Sequence, residues 1–149
     1  MHRSGFALTG AGLSLKGKST DTVEDGIVTA EEVAGLDLWG TDLVVLSACQ
    51  TALGDVKGGE GVMGLRRAFV QAGARNLVLT MWKVEDQKTP ALMIDFYREY
   101  LASGDAVDAM CRAQRKMLQE KDDAGQPIHP RYWAPFILSF QGKPAAVTD

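Results

Sequence analysis

Apolar residues along the chain fall into two kinds of block. Leu43-Val44-Val45-Leu46-Ser47-Ala48 and Asn76-Leu77-Val78-Leu79-Thr80-Met81-Trp82 are near-continuous apolar runs. Strands apolar on both faces belong in a buried parallel sheet. Between them, Val62, Leu65, Phe69 and Ala72 recur at helical spacing, and Gly73 stands where a helix C-cap is expected. Met93, Phe96, Tyr97, Tyr100 and Leu101 fall at i, i+3, i+4, i+7 and i+8. That spacing predicts an amphipathic helix with these five residues on its apolar face. Asp105 can cap a further helix carrying Ala106, Met110, Ala113 and Met117 on one face. Arg112, Arg115 and Lys116 in its later turns suit the negative end of the helix dipole. A polar loop with Pro127 and Pro130 leads to a last strand, Phe136-Ile137-Leu138-Ser139-Phe140.

The first 26 residues are rich in Gly, Ser, Thr and Asp, and the short apolar pieces Phe6-Ala7-Leu8 and Leu13-Ser14-Leu15 suggest small strands or loops. The polar stretch from Ser19 to Gly26 reads as an exposed loop. Thr29-Ala30-Glu31-Glu32 matches a capping box, so a short helix is expected from there to about Gly35. The order strand, helix, strand, helix, helix, strand is an α/β pattern with a parallel core.

Composition narrows the function classes. The chain has 149 residues, 46% hydrophobic and 23% charged, which is globular balance rather than disorder. A net charge of −3 argues against a dedicated nucleic-acid binder. No apolar run approaches the roughly 18 residues of a membrane span. Two cysteines, Cys49 and Cys111, exclude a disulfide-stapled miniprotein. The N-terminal apolar stretch is interrupted by Thr9 and Gly10 and lacks an Ala-x-Ala site, so a cytoplasmic protein with reduced thiols is expected.

In α/β sheets ligands bind beyond the carboxyl ends of the strands. Ser47-Ala48-Cys49-Gln50-Thr51 ends the first buried run and Trp82-Lys83-Val84-Glu85-Asp86 ends the second. A βαβ unit would open both segments at one edge, bringing a thiol and two carboxylates into one crevice. Cys49 can equally be a buried, inert thiol, and Cys111 a core or helix-flank residue. Gly59-Glu60-Gly61-Val62-Met63-Gly64 matches the dinucleotide fingerprint literally, with Glu85 near the ribose-binding spacing. Its first glycine stands too far from the preceding strand for a tight phosphate-binding turn, and Glu60 would set a carboxylate beside the phosphates. The glycines can instead shape a loop and a close helix contact.

The segment from Leu43 through Cys49-Gln50-Thr51-Ala52-Leu53-Gly54 resembles the nucleophile strand and loop of CHAT-domain proteins. The resemblance extends over Gly59-Glu60-Gly61, Leu65-Arg66-Arg67-Ala68-Phe69, Ala72-Gly73-Ala74, Trp82-Lys83-Val84-Glu85-Asp86, Phe96-Tyr97 and Trp133-Ala134-Pro135-Phe136. Upstream it includes Arg3-Ser4-Gly5-Phe6-Ala7-Leu8 and Gly26-Ile27-Val28-Thr29-Ala30-Glu31-Glu32-Val33. These proteins are caspase-like cysteine peptidases of clan CD, often fused to tetratricopeptide repeats. The resemblance implies a mostly parallel, helix-flanked α/β sheet and Cys49 as the nucleophile, with no cofactor. Its partners would be a peptide or protein substrate and tetratricopeptide repeats in the full-length protein or another chain. The related separase branch is similar at Trp82-x-Val84-x-Asp86. There the second acid selects a basic residue before the scissile bond, which implies that role for Asp86. Asp86 can also cap the helix starting near Thr89. Trp82 would serve packing or recognition, and Glu60 would support the pocket or fix its loop.

A thiol near pKa 8.5 needs a proton acceptor, and the chain has only His2 and His129. The family histidine ends an apolar strand and is followed by glycine. His2 stands near caspase spacing from Cys49, but Arg3 follows it, and His129 lies in a Pro-flanked loop. The resemblance therefore places the histidine before residue 1, making residues 1–142 the C-terminal part of a caspase-like domain and residues 143–149 a frayed tail. Missing strands would uncover a sheet edge and favour marginal stability or self-association. The competing functions are an endopeptidase, incomplete in this chain, a non-catalytic interaction module and a dinucleotide-binding domain.

Overall fold

The computed structural model describes residues 5–8, 11, 26–46, 60–82, 84 and 89–141. Their elements are β1 (Gly5–Ala7), β2 (Ile27–Thr29), α1 (Ala30–Ala34), β3 (Leu43–Leu46), α2 (Glu60–Gln71), β4 (Asn76–Thr80), α3 (Thr89–Ser103), α4 (Ala106–Gln119), a 3-10 turn (Pro130–Tyr132) and β5 (Phe136–Phe140). The chain divides into two units, Met1–Asp42 with Gln50–Arg75, and Leu43–Cys49 with Asn76–Asp149. The α/β class read from the sequence is what the elements form. Of the loop expected from Ser19 to Gly26, all but its last residue lies outside the described residues.

In the first unit β1 and β2 pair antiparallel, Gly5 opposite Thr29 and Ala7 opposite Ile27. A Cβ on Gly5 would stand 2.5 Å from the Val28 carbonyl oxygen, so the close approach of the strands requires glycine. β2 has only three residues, and its pairing with β1 is what defines it, so hydrophobic spacing did not reveal it. It runs directly into α1, whose five residues are too few to be stable by propagation. Local bonds fix it instead. The Thr29 N–H donates to Glu32 Oε2 at 2.7 Å and the Glu32 N–H donates to Thr29 Oγ1 at 3.3 Å, the expected capping box. These bonds hold the Glu32 carboxyl below its ordinary pKa, the backbone bond first and the Thr29 side-chain bond second.

α2 begins at Glu60, two residues before the expected start, and buries Val62, Leu65, Phe69 and Ala72 as the spacing predicts. It ends in a Schellman motif. The Gly73 N–H donates to the Val70 carbonyl and the Ala74 N–H to the Phe69 carbonyl, both at 3.1 Å, with Gly73 at φ +102°. α1 packs on α2. The Leu38 N–H donates to the Ala72 carbonyl at 2.8 Å, and the Asp42–Arg75 ion pair ties the two ends of the segment.

In the second unit the described strands form one sheet in the order β3-β4-β5. β3 and β4 are parallel; β4 and β5 are antiparallel. The sheet described here is therefore mixed rather than mostly parallel. α3 and α4 are the reason. They form an antiparallel hairpin across Gly104 and Asp105, which returns the chain to the sheet end it left after β4. β5 must then enter from that end and run back. β3 was expected to be buried on both faces. Its residues are only partly buried, because among the described residues β4 is its one neighbour; central β4 buries Leu77 through Thr80.

The core of this unit joins Val78, Val84, Leu92, Phe96, Ala109, Met110, Ala113, Met117, Ile128 and Phe136. α4 presents the predicted face, burying Ala106, Met110, Ala113 and Met117, and Asp105 caps it by accepting from the Val107 and Asp108 N–H groups at 2.9 and 3.0 Å. Cys111 stands exposed on its outer side. Two of the three basic residues in the later turns of α4 make ion pairs with acids nearby. Lys116 reaches Asp95 on α3 at 2.7 Å and Arg112 reaches Asp108 at 2.6 Å. α3 is rotated from expectation. Leu92 and Phe96 are buried, Met93 and Tyr100 pack beside them, but Tyr97 and Leu101 lie exposed. Both sides of this helix carry apolar residues, so spacing alone did not identify the buried one. From α4, the Gln114 side-chain amide donates to the Trp133 and Phe136 carbonyls at 3.0 and 2.8 Å, tying the helix to the start of β5.

Candidate active site

Parallel pairing sets Leu46 of β3 beside Leu79 of β4. The carboxyl ends of the two strands are therefore neighbours, and the chain leaves both at one sheet edge. Cys49 is three residues beyond Leu46 and Asp86 six beyond Thr80. Cys49, Asp86, Glu85 and His2 lie outside the described residues, as does the side chain of Glu60. Glu60 is the first residue of α2.

Trp82 and Val84 are described. Val84 is buried in the core while Trp82, two residues earlier, is 48% exposed. Trp82 neither packs deeply nor stands free. Its indole N–H donates to the Arg131 carbonyl at 3.3 Å, which leaves half the ring at the surface. β5 starts at the same edge, with Phe136 opposite Thr80, and the Met81 N–H donates to the buried Pro135 carbonyl at 3.0 Å. The Trp133-Ala134-Pro135 segment therefore borders the carboxyl end of β4, with the Trp133 indole N–H donating to the Ile128 carbonyl at 3.2 Å.

Sequence reasoning missed the Pro130–Tyr132 turn and what it holds. His129 caps it, its Nδ1 accepting from the Arg131 N–H at 3.2 Å. The Arg131 guanidinium lies 4.6 Å from the Tyr132 ring centroid and donates to its hydroxyl at 2.6 Å. His129, Arg131 and Tyr132 border an open cavity beside the Asp122 turn. Only the Pro at position 130 hinted at a turn start.

Among the described residues no three His, Cys, Asp or Glu side chains stand together as metal ligands, and no helix is long and apolar enough to cross a membrane.

The model of the CHAT domain family matches residues 2–141. This chain belongs to the CHAT domain family. Tetratricopeptide repeat protein 28 of Homo sapiens is 30% identical over 116 residues, which is 78% of this chain and 4% of that protein. The Mus musculus protein of the same name is 31% identical over 112 residues, 75% of this chain and 4% of its own length. The CHAT chain thus spans about 4% of the length of the curated relatives it matches. No solved structure matches it.

Proposed function

We propose that this CHAT chain carries the nucleophile half of a caspase-like cysteine endopeptidase site that cleaves after a basic residue. The observation that supports the reading is the parallel β3–β4 register, which makes the carboxyl ends of these two strands neighbours in a chain of this family; in the sequence Cys49 follows the one and Asp86 the other. The Cys49 thiolate attacks the peptide carbonyl carbon, the C–N bond breaks, the amine leaves with a proton from the base, and water hydrolyses the thioester. Asp86 pairs with the Arg or Lys side chain before the scissile bond. Trp82 offers its exposed ring as a wall for that side chain's apolar stem.

A base must come within hydrogen-bond reach of the thiol. Neither His2-Arg3 nor His129-Pro130 matches the family's His-Gly, and His129 is occupied as a cap. On this reading the histidine comes from outside residues 1–149. The peptidase-type domain comprises residues 1–142, with 143–149 a tail, and a working thiol suits the reducing cytoplasm. The unmatched histidine also favours a second reading, a non-catalytic interaction module. The names of the relatives point to tetratricopeptide repeats as the partner on either reading.

An arginyl acyloxymethyl ketone, read by mass spectrometry, separates the two. Labelling at Cys49 that disappears in Cys49→Ala and falls at least tenfold in Asp86→Ala is expected for the peptidase reading. A folded chain left unlabelled supports the interaction module. Equal labelling of Cys49→Ala would falsify the nucleophile assignment.

A further inference from the structure

None of the three residues of the Pro130–Tyr132 turn is buried, and an open cavity of about 370 Å³ stands beside it, so hydrogen bonds carry much of its definition. Pro130 sets the residue before it. His129 is extended, at φ −62° and ψ 136°, as a residue preceding proline should be. From there its Nδ1 accepts from the Arg131 N–H at 3.2 Å, the bond of an N-cap. The Tyr132 N–H donates to the His129 carbonyl at 3.1 Å and the Ala134 N–H to the Pro130 carbonyl at 2.8 Å. Arg131 is thus held at both of its main-chain polar groups. The His129 ring takes its N–H, and its carbonyl accepts the Trp82 indole N–H at 3.3 Å. The Arg131 guanidinium lies over the Tyr132 ring, and the group that meets the indole is the carbonyl. A second indole is anchored on the same segment. The Trp133 N–H donates to the Ile128 carbonyl, one residue ahead of the cap, and Trp133 packs against the core.

We infer that His129 is a positioning residue for substrate recognition: by holding Arg131, it sets the angle at which the Trp82 ring faces a basic side chain. The inference rests on the reading of Trp82 as a wall for that side chain. The indole N–H is the ring's one hydrogen-bonding group, and half of Trp82 is exposed. The bond to Arg131 therefore decides which part of the ring is left to solvent. Without it, other staggered rotamers come within reach. Orientation matters because a cation is attracted to the face of an indole and repelled by its edge. A turned ring would weaken affinity for Arg or Lys and leave attack at the carbonyl carbon untouched. The role asks for an acceptor at one place in the side chain, the atom bonded to Cγ. Asparagine carries its amide oxygen there. Glutamine carries its oxygen one atom further out, near the place of Nε2, and cannot make the same bond. His129 in this role moves no proton, in keeping with its use as a cap.

The test compares His129→Gln with His129→Asn in the isotope-labelled chain. NMR reads indole N–H exchange and the affinity for the acetylated peptide amide Ala-Ala-Arg, against Ala-Ala-Gln as the uncharged control. In His129→Gln the Trp82 indole N–H should exchange about fivefold faster, the loss expected of one cap. The Trp133 indole should be unchanged, since its acceptor precedes the cap. Affinity for the Arg peptide should fall about threefold, the scale of an exposed cation–π contact. Trp82→Ala should lose as much, and the double variant no more. His129→Asn should restore both exchange and affinity. His129 is exposed, so unchanged melting curves serve as the folding control. An unchanged Trp82 indole in His129→Gln overturns the inference, as do equal losses in the Asn and Gln variants. So do faster exchange at Trp133 as well, additive losses in the double variant, or a wild type that binds both peptides alike. Electrophile labelling of Cys49 is read separately. A chain that labels, but keeps Trp82 protected in His129→Gln, loses the inference and keeps the peptidase reading. A chain that never labels, yet shows the Asn–Gln split, keeps the inference and loses the peptidase.

Discussion

α1 and α3 are specified in opposite ways. α1 has five residues and is held by reciprocal bonds between Thr29 and Glu32, with the Gly35 N–H closing its other end. Four residues of sequence were enough to place it, because a capping box is local chemistry. α3 has three times the length and a clear helical spacing, and its ends were legible, but its inward face was not. Spacing reports that a helix exists; which side is buried is decided by what packs on it. Where both sides are apolar, the pattern gives two answers. Short elements tied by named hydrogen bonds are therefore read more securely than long elements whose polarity is incomplete.

The largest effect separates the two sides of α3. Phe96 is fully buried, stacked 5.9 Å from Tyr100, whereas Leu101 projects into solvent. Phe96→Ala should cost about 3–5 kcal/mol in urea unfolding and Leu101→Ala within about 0.5 kcal/mol of nothing. Equal losses would mean that Leu101 is already covered in the isolated chain, and the contrast within α3 would vanish.

Next is the Schellman end of α2. Gly73 has φ +102°, and a Cβ there would stand 2.9 Å from the Trp39 ring. Gly73→Ala should cost roughly 2 kcal/mol from the left-handed backbone and more from the ring. Trp39 is mostly exposed, so Trp39→Ala alone should change little. The double variant should recover the ring's share and keep the backbone's, a coupling that a mutant cycle reads directly. Additive losses would place the whole cost in the backbone.

A smaller effect tests capping in the long hairpin. Asp105→Ala removes the acceptor for the Val107 and Asp108 N–H groups of α4 and should cost about 1 kcal/mol. Asp105→Asn should restore most of it, since the amide oxygen accepts the same bonds. α4 keeps its buried face either way, so the loss should be global and modest. In α1, by contrast, Thr29→Ala should release the helix itself, seen as amide exchange rising at residues 30–34 before the rest.

The legible parts share a physical character. β4, β5, the α2 and α4 faces and both N-caps follow from spacing or from one polar side chain at the right position. The direction of β5 was not legible, because it depends on the α3–α4 hairpin returning the chain, a fact of three dimensions. The same limit applies to the site. The sequence placed Cys49 and Asp86 beyond two strand ends, and the parallel register supports one shared edge. The Trp82 contact with Arg131 spans 49 residues and left no trace in local pattern.

The smallest effect tests the local end of the comparison. Glu32 is exposed, and bonds from the Thr29 backbone and side chain lower its pKa. A carboxyl depressed in the folded state adds stability above its unfolded pKa, about 4.3. That stability is lost as pH falls through the lower folded value. Glu32→Gln should therefore narrow its deficit against the wild type as pH drops from 5 toward 3, and leave a constant deficit above pH 5. A carbon-detected titration should find the wild-type Glu32 midpoint below the ordinary carboxylate range and return it there in Thr29→Ala. An ordinary midpoint in the wild type would mean that the capping box does not form in solution. The five-residue helix would then owe its place to packing on α2, and its legibility in the sequence would rest on a coincidence.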